Sequence, residues 1–113
     1  MENNSSSNSE DRFQSIRTGL LEFAVLRIIS SGDVYAADIL SALASTPLHT
    51  QEGTLYPLLS KLRRESLLEY EWRESDAGPP RKYYALTPKG QAQLTDMKAY
   101  WHSITSTITK LGS

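Results

Sequence analysis

Residues 50–68 read TQEGTLYPLLSKLRRESLL. Polar turn-formers lead into a short amphipathic segment, in which Leu55, Leu58, Leu59 and Leu62 recur at helical spacing and can bury one face. The other side keeps Thr54, Tyr56, Ser60, Lys61, Arg63 and Arg64, which are hydrogen-bonding groups and cations. Pro57 constrains where the helix begins. Deep in a helix a proline costs about 3 kcal/mol or more, but first-turn N–H groups lack partners anyway. The helix is therefore expected to start near Gly53, with Thr50 as its N-cap.

Two strand-like runs follow at once. Leu68, Tyr70 and Trp72 alternate with Glu69, Glu71 and Arg73, the pattern of a half-buried strand over 67–74. Ser75 to Pro80 reads as a turn with Gly78-Pro79-Pro80 as its stiff end. Arg81 to Thr87 is a second strand, with Tyr84 and Leu86 on one face. A hairpin alone is marginal in water and must lean on helices. A short helix with a basic outer face, followed by a hairpin with Arg81-Lys82 beside its turn, predicts a mainly α fold with a β-hairpin. That is a winged helix-turn-helix.

Upstream, Ser, Asn and acidic residues over 1–11 have no apolar partner, so a disordered tail is expected there. Phe13 to Ile29 is helical and apolar nearly all round (Ile16, Leu20, Leu21, Phe23, Val25, Leu26, Ile28, Ile29), which predicts burial on several sides. In so short a chain, that hints at a partner subunit. Tyr35 to Ala44 is a second short helix with Ala36, Ile39, Leu40 and Leu43 inward, closed by Ser45-Thr46-Pro47.

Downstream, Thr87-Pro88 is a helix start, an N-cap followed by proline at the first position. Leu94, Met97, Trp101, Ile104, Ile108 and Leu111 then fall at alternating spacings of three and four, an a/d seam. The seam has little of its own chain left to cover it, and a long exposed apolar stripe is rare on a monomer. A two-fold dimer is expected.

Bulk properties bound the rest. At 113 residues with 39% apolar content, the chain suits one small domain. No run approaches a membrane span, the N-terminus lacks the features of a secretory signal, and no cysteine is present; a cytoplasmic protein is expected. The net charge of −1 is unlike that of many DNA-binding domains. Lys61, Arg63, Arg64, Arg73, Arg81, Lys82 and Lys89 nevertheless cluster in the helix-plus-hairpin region, with Glu65, Glu69, Glu71, Glu74 and Asp76 among them. Which side chains share a face decides the field there.

Enzyme chemistry finds no foothold. His49 and His102 are far apart, without metal-type spacing or an acid–serine arrangement. Gly53 and Gly90 are isolated, so no phosphate loop and no cofactor is implied. Trp101 has two readings, a large core residue at the seam or one wall of a site for flat apolar molecules. In the second, Met97, Tyr100 and either Phe13 or Phe23 complete the pocket.

With these residues in view, the chain resembles the PadR family of bacterial transcriptional regulators from about Arg17 to Leu111. The likeness is carried by GLLEFAVLRIIS at 19–30, EGTLYPLLSKL at 52–62 and ESDAGPPRKYYALTPKG at 74–90. It implies a homodimeric repressor whose long last helix makes the dimer contacts, with Thr54, Tyr56, Ser60 and Lys61 on the DNA-facing helix and Arg81-Lys82 on the wing. The single C-terminal helix resembles the small-protein branch, some members of which bind planar aromatic compounds at the dimer centre, near the place Trp101 occupies. Two positions depart from the family pattern. Tyr35-Ala36-Ala37 stands where Tyr-Gly-Tyr is usual, and Ser66 stands where a glycine commonly ends the recognition helix.

The expected organisation is a tail over 1–11, a winged helix-turn-helix over 12–87 and a dimerisation helix over 88–113. The expected partners are a palindromic double-stranded operator, a second copy of the chain and a small aromatic effector, with no membrane and no metal. DNA contacts are expected from Thr54, Tyr56, Ser60, Lys61, Arg63, Arg64, Arg81 and Lys82. Effector contacts are expected from Trp101, Met97, Tyr100 and Phe13. The alternative is a winged-helix adaptor that binds protein and no nucleic acid.

Overall fold

The leucine stripe of the deciding stretch is buried: Leu55, Leu59 and Leu62 are all but sealed from solvent, while Leu58 is half-buried. Around it a computed structural model, describing the backbone of residues 4–113 and side chains from Arg12 onward, arranges four helices and a hairpin. The order is α1 (Asn4–Ile29), α2 (Ala36–Leu43), α3 (Glu52–Arg64), β1 (Leu68–Ser75), β2 (Gly78–Leu86) and α4 (Pro88–Leu111). The core takes Leu21, Val25, Leu26 and Ile29 from α1, Ala36, Ile39 and Leu43 from α2, and the three α3 leucines. Leu67, Leu68 and Tyr84 close it from the hairpin side, and Leu94 from α4. No described helix is long and apolar enough to cross a membrane.

Several boundaries differ from expectation for local reasons. Helix α1 runs back to Asn4, into the stretch expected to be a tail, of which residues 1–3 lie outside those described. Helix α3 starts at Glu52 with Gln51 as N-cap and no side-chain cap bond, so Thr50 does not cap it. Pro57 therefore sits in the second turn rather than the first. Pro79 and Pro80 lie inside β2, not in the turn, because the loop shrinks to Asp76-Ala77 between the paired Ser75 and Gly78. The register slips between Arg73 and Ser75, and an irregular edge is where residues without an N–H are tolerated in a sheet.

The hairpin is steadied by a third piece of chain. Val34, between α1 and α2, bridges β2: its N–H donates to the Tyr84 carbonyl (3.3 Å), and the Tyr84 N–H donates back (2.7 Å). At the other end, the Thr87 hydroxyl accepts from Gly90 N–H (2.9 Å) with Pro88 in the first turn, the expected start of α4.

The end of α3 is a Schellman turn. Leu67 N–H donates to the Leu62 carbonyl (3.0 Å) and Ser66 N–H to that of Arg63 (2.9 Å), while Leu62 and Leu67 meet in the core. This geometry requires a left-handed residue, and Ser66 supplies it at φ 66°. A side chain there costs roughly 1 kcal/mol relative to glycine. Ser66→Gly is thus expected to stabilise the fold by about 1 kcal/mol, read as a rise of a few degrees in Tm at fixed protein concentration. A lower Tm would contradict this account of the turn.

Candidate nucleic-acid interface

Because Leu55, Leu59 and Leu62 point into the core, helical phase assigns every other α3 position a direction. Gly53, Pro57, Ser60 and Arg64 form the outermost ridge, all exposed. Tyr56 and Arg63 flank it toward the hairpin, and Thr54 and Lys61 flank it toward α1. The Arg63 guanidinium lies 4.7 Å from the Tyr70 ring centroid.

Between α3 and the hairpin runs a groove of about 490 Å³, lined among others by Tyr35, Glu52, Tyr56, Trp72, Arg81 and Lys82. Arg81 lies 4.5 Å over the Tyr35 ring, and Lys82 sits over both Tyr70 (4.6 Å) and Trp72 (5.4 Å). Each such contact at an exposed site contributes about 0.5–1 kcal/mol, enough to favour one pose for a long cation without quenching its charge. Trp72, placed on the inward face by strand alternation, is 61% exposed. The hairpin outreaches the helical layer, so its inward face becomes the groove wall. That pattern alone could not show it, because alternation gives the face of a strand and not the extent of what covers it.

The cations of this region divide, among the described residues, into those with ion pairs and those without. Lys61 turns toward α1 and bonds Glu22 (2.6 Å), with Glu65 at 4.0 Å. The hydrogen bond that Glu22 accepts and the charge of its carboxylate hold the Lys61 ammonium above the ordinary lysine range. Arg73 is engaged by Glu71 (2.8 Å) and by Asp33, which together raise its guanidinium further. Lys89 donates to the Glu65 carbonyl (3.0 Å) at the end of α3, where a cation meets the negative end of the helix. Arg63, Arg64, Arg81 and Lys82 form no ion pair among the described residues; the first two lie on α3's exposed side and the last two line the groove.

The expected contact set is thus partly gathered and partly divided. Tyr56, Arg81 and Lys82 line the groove, Arg63 lies over Tyr70, and Ser60 and Arg64 stand on the ridge. Thr54 and Lys61 lie on the far flank and line a recess shared with Arg17 and Glu22 of α1. Nothing in the sequence pattern singled out Arg17. Its guanidinium donates to the carbonyls of Pro47 and His49, which clamps the turn between α2 and α3 to α1. No short-range pattern links an arginine to carbonyls some thirty residues away.

On the opposite side of α1 lies a second groove, of about 500 Å³, between α1 and α4. Its walls include Ile16, Gly19, Phe23, Met97, Tyr100 and Trp101, with the Phe23 and Trp101 rings edge-on at 6.5 Å between centroids. Met97, Tyr100 and Trp101 are brought together as expected. The partner from α1 is Phe23, whereas Phe13 stands outside the groove and exposed. The seam residues divide as well. Leu94 is buried in the chain's own core and Met97 packs against it, because the first turns of α4 lie on α1 and the hairpin. Ile104 is half-buried, and Trp101, Ile108 and Leu111 are 45%, 63% and 80% exposed. The expectation that α4 finds little of its own chain fails for its first half only.

Residues 25–96 match the family described as "Transcriptional regulator PadR-like family". The chain is 36% identical to a PadR-like transcriptional regulator from Bacillus cereus, covering 86% of this chain and 95% of that one, with a TM-score of 0.78. A PadR family transcriptional regulator from Eggerthella lenta superposes at a TM-score of 0.81 with 29% identity, over 94% of this chain and 93% of that one. The transcriptional regulator Rv3488 of Mycobacterium tuberculosis is 35% identical over 72 residues, 64% of this chain and 66% of its own length.

Proposed function

The chain belongs to the PadR-like family of transcriptional regulators, and from that premise we propose that it is a cytoplasmic homodimeric repressor that reads a palindromic operator. Residues 12–87 carry the reading surface and residues 88–113 carry the dimer contact. In this arrangement α3 enters the major groove while the β1–β2 wing meets the flanking backbone. One observation carries the reading: among the described residues Glu22, Glu65, Glu71 and Asp33 pair with Lys61 and Arg73, while Arg63, Arg64, Arg81 and Lys82, on α3's exposed side and the hairpin, form no ion pair. Local charge, not the net −1, is what a phosphate backbone meets.

Phosphate neutralisation dominates affinity, and each phosphate left without its cation lowers the salt dependence by about 0.9. Arg81→Ala combined with Lys82→Ala should weaken binding to a random-sequence duplex in a mobility-shift titration. Two cations lost from each of two chains should lower the slope of log affinity against log salt by roughly 3.6 for the dimer. An unchanged slope would remove the wing from the contact surface.

The α1–α4 groove is assigned to a planar aromatic effector and to the partner's α4. Gly19 supports this, since a Cβ at Gly19 would meet nothing within 4 Å. The fold itself does not require glycine at that mid-helix position, where it is costly. Helix α1 then acts as the lever. One face lines the groove, and the other holds the α2–α3 turn through Arg17 and α3 through Glu22. A ligand that shifts α1 changes the separation of the two recognition helices and releases DNA by binding one form better. Trp101 fluorescence reports occupancy: planar aromatic compounds should quench it saturably, and an unchanged signal at saturating dose would empty the groove of this role.

A further inference from the structure

The outermost ridge of α3 holds two residues that are poor choices for an exposed helix. Gly53 is in the first turn, and a Cβ built there would meet nothing within 4 Å, not even the Pro57 ring one turn on. Its backbone is not left-handed either. Nothing inside the chain therefore requires glycine at a position where alanine is more stable. Pro57 is the second anomaly, since it stands inside a helix that continues to Arg64. Without an N–H, it leaves the Gly53 carbonyl without its i+4 donor. The two residues act on the same atom. One withholds the i+4 donor of the Gly53 oxygen, and the other removes the side chain that would hold this outermost stretch of backbone away from a ligand.

We propose that the Gly53 carbonyl accepts a hydrogen bond from the exocyclic amine of an operator base, cytosine N4 or adenine N6, and that the bare Cα at Gly53 and the missing N–H of Pro57 make this contact possible. It rests on the reading of α3 as the recognition helix. Those two amines are the major-groove donors, and the first turns of a recognition helix are the part that reaches base edges. The carbonyl discriminates because thymine O4 and guanine O6 or N7 offer only acceptors at the same depth. A hydrogen bond of this kind corresponds to about a tenfold preference at one position of each half-site.

The test is selection from a randomised duplex library by the intact wild-type chain, repeated with Gly53→Ala and with Pro57→Ala. Melting temperatures and low-salt affinity for a random-sequence duplex are measured in parallel. Wild type should enrich sites with one amino-bearing base fixed in each half-site, C or A according to which amine is read. Both variants should melt at the wild-type temperature or above and keep random-duplex affinity within about twofold, yet lose roughly tenfold preference at that one position. Pro57→Ala matters most, because it restores a donor to the carbonyl without adding bulk to Gly53. Variants that recover the full wild-type motif would overturn the proposal and leave the DNA-binding reading intact. Variants that both melt well below wild type would also overturn it, by assigning Gly53 and Pro57 to the fold. If wild type enriches no motif and ignores duplex, the recognition-helix reading falls and takes this contact with it.

Discussion

Acidic substitutions at the end of the seam, Ile108→Glu with Leu111→Glu, are expected to convert the protein to a monomer and to cost at least a hundredfold in operator affinity. The size follows from avidity. Tethering two reading heads makes the second contact intramolecular and raises overall affinity by about 10²–10⁴, and that gain disappears when the tether fails. These positions are chosen because they do nothing for the folded chain alone: Ile108 and Leu111 are 63% and 80% exposed. Exposed substitutions away from special features usually change stability by only about 0.5 kcal/mol, so dissociation of the dimer could not be put down to misfolding. Sedimentation across a concentration series reads the assembly, and a mobility-shift titration reads the binding. A variant that stays dimeric, or one that becomes monomeric and binds as before, would contradict the role given to α4.

Gly90→Ala should damage the fold more than any other single methyl added to a glycine here. A Cβ at Gly90 would lie 2.1 Å from the Leu67 carbonyl oxygen and 3.1 Å from its carbon, which are backbone atoms that cannot swing aside. The same carbonyl already accepts from Thr87 N–H (3.1 Å) where the chain turns into α4. Moving it would disturb the Schellman turn, the helix start and the seat of Leu94 together. Overpacking of this kind typically costs 1–3 kcal/mol, and the backbone obstacle puts Gly90→Ala at the top, about 3 kcal/mol. Denaturant melts at fixed protein concentration measure the loss. Gly53→Ala is the control, since a Cβ there meets open space, and helix propensity makes it neutral or mildly stabilising. A Gly90→Ala loss below about 1 kcal/mol would mean that α4 can slide off Leu67 at little cost, against the tight packing of α4 on that backbone.

How much of this was legible in the sequence depended on the range of the interaction. The α3 leucines, the hairpin and the Thr87-Pro88 start are decided within a few residues and could be read from spacing or backbone preference, whereas Ser66 stood out only against the family pattern. The partners of charged side chains could not. Glu22 and Lys61 are 39 residues apart and Asp33 and Arg73 are 40 apart, so periodicity gives the face of each without the neighbour it meets. Leu94 failed for a related reason. An a/d seam shows that a face is apolar, and the first turns of α4 found their cover within the same chain. Trp72 kept the alternation of β1, but the helices beneath end before it does. Phe13 was the expected contact from α1, with Phe23 as the other candidate, and the groove takes Phe23 instead because spacing along α1 does not give the depth at which α4 crosses it.

The stoichiometry of the protein–duplex complex bears most directly on the paired reading heads. Sedimentation equilibrium of wild type with a selected duplex, in dilute buffer, should give two chains on each duplex and a dimer when the DNA is absent. A chain that sediments as a monomer on its own and leaves the duplex free at low salt would contradict the account at its root.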